Sequence, residues 1–100
     1  MIRSYANRGT ADIALGVNSK VARSVLPPSL HEQALEDLSV LAAAKSLKDL
    51  GLSGYNLELL RGRRAGQHSI RINRQYRICF TWTSDGVEDV EIVDYHDERR

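Results

Sequence analysis

The chain has 100 residues, a formal net charge of +1 and a 42% hydrophobic fraction. That is enough to fold as one domain without disulfides or metal staples, and too little for a second domain. A single cysteine, Cys79, cannot form an internal disulfide. The opening MIRSYANRG lacks the apolar centre of a signal peptide, and no run is long enough to span a bilayer, so a soluble cytoplasmic protein is expected.

In chain order, Met1 to Tyr5 is a short strand candidate. Ala11, Ile13, Ala14 and Leu15 have the spacing of a short helix over Gly9 to Leu15, with Thr10 as its cap and Gly16 as its stop. Val17 to Leu26 mixes Lys20 and Arg23 with valines and reads as an irregular or mobile loop. After Pro27 and Pro28, Ser29 and Glu32 form the sequence signature of a capping box. Leu30, Ala34, Leu35, Leu38, Leu41 and Ala42 then make an apolar helical stripe, which leaves Glu32, Glu36 and Asp37 for solvent. A further helical turn over Ser46 to Leu50 ends at Gly51 and Gly54. Tyr55 to Leu60 alternates as a strand, with Glu58 on its polar face.

Gln67 to His96 organises the rest as three strand-like runs. With period two, Ile70, Ile72, Tyr76, Ile78, Phe80, Trp82, Val90 and Ile92 share one face, while Arg71, Arg77 and Thr81 share the other. Pairing Ile72 with Tyr76 leaves Asn73, Arg74 and Gln75 as a turn. Pairing Phe80 with Val90 leaves Ser84, Asp85 and Gly86 as a second, with Gly86 at positive φ. This register sets Arg71 directly across from Arg77, which is unfavourable unless an anion lies between them. It predicts a phosphate-sized gap, and removal of Arg77 is expected to relieve repulsion.

The positive charge is local. Arg61, Arg63, Arg64, Arg71, Arg74 and Arg77 fall within seventeen positions. A lone basic loop is most often a solvated face, but this one adjoins a sheet face bearing two more arginines, and guanidinium groups suit bidentate phosphate binding. Arg61, Arg63, Arg64, Arg71, Asn73 and Arg74 are therefore the candidate RNA or phosphate ligands. There is no phosphate-binding glycine loop, no CxxC pair and no HExxH, and His31, His68 and His96 show no metal-ligand spacing. No cofactor is expected.

The segments YNLELLRG, RAGQHSIRINRQYRICFTW and VEIVDYH, in this order, resemble the plasmid-maintenance killer toxins of the HigB branch of the RelE superfamily. The resemblance runs from MIRSY to the YH at 95 and 96. It implies an α+β, RelE-like fold with two N-terminal helices on a curved antiparallel sheet, and ribosome-dependent cleavage of mRNA in the A site. It further implies a HigA-type helix-turn-helix antitoxin, with operator DNA reached only through that partner. The family's terminal Asp-Tyr-His motif falls on Asp94, Tyr95 and His96, and its strand arginines on Arg71 and Arg77. The chain departs from the pattern where many relatives have His-x-x-Lys before a glycine: here stand Glu58 and Arg61.

The chemistry can also be framed from the residues. Cutting RNA without metal requires a base for a 2′-hydroxyl, charge stabilisation at phosphorus and an acid for the leaving 5′-oxygen. His96 is the natural acid or base. Glu58 is a candidate proton carrier, Arg77 with Arg71 and Arg61 a phosphate clamp, and Tyr95 a group that orients the phosphate or stacks on a base. Alternation puts Tyr95 on the side of Arg77 and His96 on the other face. Two function classes fit: a ribosome-dependent endoribonuclease, and a non-catalytic relative that only binds RNA or an antitoxin. A stand-alone DNA-binding domain is disfavoured, because the best helix is acidic.

Overall fold

The computed structural model describes residues 1–52 and 54–95. Four α-helices, α1 (Arg8–Ala14), α2 (Lys20–Val25), α3 (His31–Ala43) and α4 (Leu47–Leu52), precede four strands. These are β1 (Glu58–Leu59), β2 (His68–Arg71), β3 (Tyr76–Thr83) and β4 (Gly86–Asp94), which form one antiparallel sheet in sequence order. The architecture is α+β. Its core joins Ile13, Ala22, Leu26, Ala34, Leu38, Leu41 and Leu50 from the helices to Ile70, Ile78, Phe80, Val87, Val90 and Ile92 from the sheet. The alternation expected for the sheet is therefore realised, with Ile72, Tyr76 and Trp82 packed at its margin.

The helical half differs from expectation in several places. Asn7, not Thr10, caps α1, its Oδ1 accepting from the Thr10 amide at 2.8 Å. Thr10 is instead fully buried, and its Oγ1 accepts from the Ile92 amide of β4. Val17 to Leu26 is no loop: Ser19 caps α2, and α2 packs closely on α1. A Cβ on Gly9 would come within 2.7 Å of the Val21 carbonyl oxygen, so this helix crossing needs glycine. The capping box does not form, because Pro28–Leu30 takes a 3₁₀ turn and α3 begins only at His31 without a side-chain cap. Gly51 lies inside α4 rather than ending it.

The sheet keeps one expected register and shifts another. Arg71 pairs with Arg77, and the Ile72 amide donates to the Tyr76 carbonyl, as the first turn requires. In the second hairpin Thr83 pairs with Gly86, so the loop is two residues, not three. The extra residue moves into a β-bulge: Cys79 faces Glu91 while Thr81 faces Glu88, and Asp89 takes φ +54°. Met1 to Tyr5 runs parallel to β4, and its Ser4 hydroxyl receives the Asp89 amide of the bulge. Gly86, at φ +142°, leaves room for this segment; a Cβ there would lie 2.8 Å from the Met1 carbonyl oxygen.

Asp37, expected at the solvent face, is fully buried on α3 in register with Ala34, Leu38 and Leu41. Gln33 one turn earlier donates to its Oδ1 at 2.9 Å, whereas Oδ2 has no hydrogen-bond partner among the described residues. Burial pushes the carboxyl above the usual range and Glu36 adds to the rise, while the Gln33 bond and the Tyr55 hydroxyl oppose it. A pKa higher in the folded than in the unfolded state favours folding while the group is protonated, and that contribution is lost as pH rises through the folded value. Asp37→Asn is therefore expected to raise the melting temperature at neutral and alkaline pH, with the gain shrinking in acid. Thermal melts across pH check this, and a variant less stable at neutral pH would contradict it.

Candidate active site

The face of the sheet away from the helices is where the polar strand residues meet. One row crosses all four strands: Glu58, Ser69, Cys79 and Glu91 are paired in turn. The next row is Arg71, Arg77 and Val93. Strands place these side chains on one face because alternate residues share it.

Arg77 lies at the centre and is buried, with 3% of its surface exposed. Its Nε donates to Ser69 Oγ at 2.7 Å, and Nη2 donates to the carbonyls of Asn56 and Ser69. Nη2 also stands 3.9 Å from Glu58 Oε1, and the guanidinium carbon lies 5.0 Å from the centre of the Tyr95 ring. Desolvation lowers the Arg77 pKa, while Glu58 and Tyr95 act in the opposite sense and Arg71 adds to the lowering. The group keeps its charge. Nη1 makes no hydrogen bond among the described residues.

The facing arginines therefore do not need an anion between them. Arg71 points to solvent, and Arg77 turns into a set of fixed acceptors. The Asn56 carbonyl reaches it because Asn56 takes φ +53°, and the chain there is held by the Arg71 amide, which donates to the Tyr55 carbonyl at 2.8 Å. This corrects the expectation that removing Arg77 would relieve repulsion.

Glu58 is about half exposed, and Tyr95 Oη donates to its Oε1 at 2.9 Å. Tyr95 thus falls on the Arg77 side, as alternation requires. Its position is fixed by a contact that sequence reading missed. Gln75, in the β2–β3 turn, accepts from the Tyr95 amide through its carbonyl and donates from its side chain to Asp94 Oδ2 at 2.9 Å. Asn73 Oδ1 accepts the Gln75 and Tyr76 amides, so this candidate RNA ligand shapes the turn. Arg74 is exposed at the tip of the same turn.

Of the basic loop, Arg61 and Arg63 are exposed, and Arg64 pairs with Glu91 at 3.2 Å. The structure thus brings Glu58, Arg77 and Tyr95 into contact, sets Arg71 beside them, and places Arg63 and Arg64 further along the sheet. His96 lies outside the described residues. Among those residues, no group of three or more His, Cys, Asp or Glu could hold a metal ion, and no helix is long and apolar enough to cross a membrane.

Replacing Arg77 by Ala is expected to destabilise the fold. Each buried acceptor left without a donor costs about 1–3 kcal/mol. Arg71→Ala, at an exposed position, should leave the melting temperature within a few degrees. Equal effects of the two substitutions would contradict this asymmetry.

Comparison with known proteins agrees with the resemblance in the motifs. A family model described as the RelE-like toxin of the type II toxin–antitoxin system HigB matches residues 18–97. Toxin HigB-1 of Vibrio cholerae serotype O1 is 37% identical over 73 residues, covering 72% of this chain and 76% of that protein. The match takes in Glu58, Ser69, Arg71, Arg77 and Tyr95, the residues from which the cluster is built. With its α+β sheet architecture and these matches, the chain belongs to the HigB-like, RelE-like toxin family of type II toxin–antitoxin systems.

Proposed function

We propose that this chain is a metal-independent endoribonuclease that cuts mRNA on the ribosome and so blocks translation. The observation that carries the reading is the contact of Glu58 with Tyr95 beside Arg77, on a sheet face that also carries exposed Arg71. A carboxylate, a guanidinium and a phenol in contact can serve the steps of 2′-hydroxyl attack on phosphorus.

Glu58 accepts the 2′-hydroxyl proton, in place of the histidine that many relatives carry at this point. Tyr95 aims the carboxylate through its 2.9 Å hydrogen bond. Arg77 holds fixed positive charge beside the scissile phosphate, its Nη1 kept for the developing oxyanion, and Arg71 adds charge from the rim. Burial suits Arg77 to this task, since its dipoles and partners are arranged before substrate arrives. The proton for the leaving 5′-oxygen is assigned on sequence alone to His96, the imidazole that follows Tyr95. The membership implies an antitoxin partner, and we infer that it is of the HigA type and acts in the cytoplasm by keeping this face from the ribosome.

The second reading is a non-catalytic module that binds RNA or antitoxin only. It is favoured by the engagement of Arg77 Nε and Nη2 with Ser69 and Asn56, which is also what a purely structural arginine would show. Glu58→Gln separates the two: the amide oxygen can still accept from Tyr95, while the base is lost together with the charge 3.9 Å from Arg77 Nη2. Cleavage of ribosome-bound mRNA is expected to fall about 10²–10⁴-fold, with the melting temperature lowered by no more than a few degrees because Ser69 and Asn56 still hold Arg77. Parental cleavage by a folded Glu58→Gln variant would overturn the assignment of the base. No cleavage by the parent protein would leave the binding module.

A further inference from the structure

Further along the same sheet face lies an open cleft of about 440 Å³, lined by Arg63, Arg64, Ala65, Gln67 and Thr81. The volume falls in the roughly 300–1,000 Å³ range of small-molecule sites. Thr81 stands four residues from Arg77 on β3 and on the same face, a separation of roughly 13 Å at strand rise. A single phosphate cannot touch both. The cleft is thus separate from the cluster around Arg77, while an RNA strand lying along the face would meet both.

Its polar groups form a chain. Arg64 Nη1 lies 3.2 Å from Glu91 Oε1 and donates to Gln67 Oε1 at 3.1 Å; Gln67 Nε2 in turn lies 3.5 Å from Thr81 Oγ1. Glu91 ends the row that begins at Glu58, so it marks the border between cluster and cleft. Arg63 is exposed at the cleft's edge.

We propose that this cleft is a second nucleotide subsite for single-stranded RNA, and that the Arg64–Glu91 ion pair closes it in the free protein. The inference rests on the reading that this face carries RNA. Glu91 gives Arg64 what a phosphate would: an anionic oxygen that accepts from the guanidinium. The pair is 20% and 28% exposed at its side chains, so water and ions reach it and one anion can replace another. Once Arg64 turns to a phosphate, Gln67 and Thr81 offer an amide and a hydroxyl to a base edge, and Arg63 a plane on which a base can stack. Bound in this way, the strand has a second anchor away from the cut, which fixes its register over Glu58 and Arg77.

The probe is a short 2′-O-methyl oligoribonucleotide, which cannot undergo 2′-hydroxyl attack. Its affinity is measured by fluorescence anisotropy at low salt with Arg64→Gln, Glu91→Gln and the double variant, each checked by thermal melting. Arg64→Gln should weaken binding about tenfold. Glu91→Gln should tighten it, and the double variant should bind like Arg64→Gln alone, because the glutamate acts through that arginine. Equal tightening by Glu91→Gln with and without Arg64 would reduce its effect to general charge and overturn the latch. Unchanged affinity in Arg64→Gln would overturn the subsite. Should Arg64→Gln not fold, Arg64→Lys takes its place, expected to weaken binding by less. Cleavage of ribosome-bound mRNA by the parent protein is followed in parallel. Its absence would remove the nuclease reading while the affinities still decide the subsite.

Discussion

A guanidinium taken out of water must meet an anion or enough fixed acceptors, or the fold cannot hold it. Arg77 meets both. Ser69 and Asn56 supply oxygen acceptors, Glu58 a carboxylate and Tyr95 an aromatic face. The contacts reach from β1 at one edge of the sheet, through β2, to Tyr95 just past β4 at the other edge, so one side chain ties the two edges together. Function inherits this arrangement, since the groups that bury Arg77 are those that surround the proposed scissile phosphate.

The rest of the fold can be seen as support for that face. The helices cover the opposite side of the sheet, and α1 reaches β4 through Thr10, which accepts the Ile92 amide. The N-terminal segment pins the bulge at Asp89 through Ser4. Gln75 then carries order from the β2–β3 turn to Asp94 and Tyr95. Each of these contacts is polar and directional, so it fixes position as well as adding stability.

What could be read from sequence followed from local periodicity. The core face of β2 to β4, the Arg71–Arg77 register and the side on which Tyr95 falls all come from alternation within a few residues. What could not be read depends on partners far away in the chain. Asp89 at φ +54° looks like any strand residue until Ser4, 85 positions earlier, supplies an acceptor for its amide. Charge points Asp37 to solvent, although helical spacing sets it in the stripe of Ala34, Leu38 and Leu41 that turns inward. The Arg64–Glu91 pair spans 27 positions, and the burial of Arg77 needs an Asn56 backbone that no propensity predicts. Arg77 stands out in the sequence, but the facing charge of Arg71 suggests a gap for an anion where the protein provides its own acceptors.

If Glu58 and Arg77 serve an attack by the RNA's own 2′-hydroxyl, as proposed, that hydroxyl is indispensable to cleavage. The most direct measurement uses ribosome complexes carrying one message in two forms, all-ribose and with a single 2′-deoxy substitution at the nucleotide 5′ to the cut. The ribose message should be cut, leaving a 2′,3′-cyclic phosphate or its opened 3′-phosphate, and the deoxy message should be bound but uncut. Cleavage of the deoxy message at the same bond would contradict it.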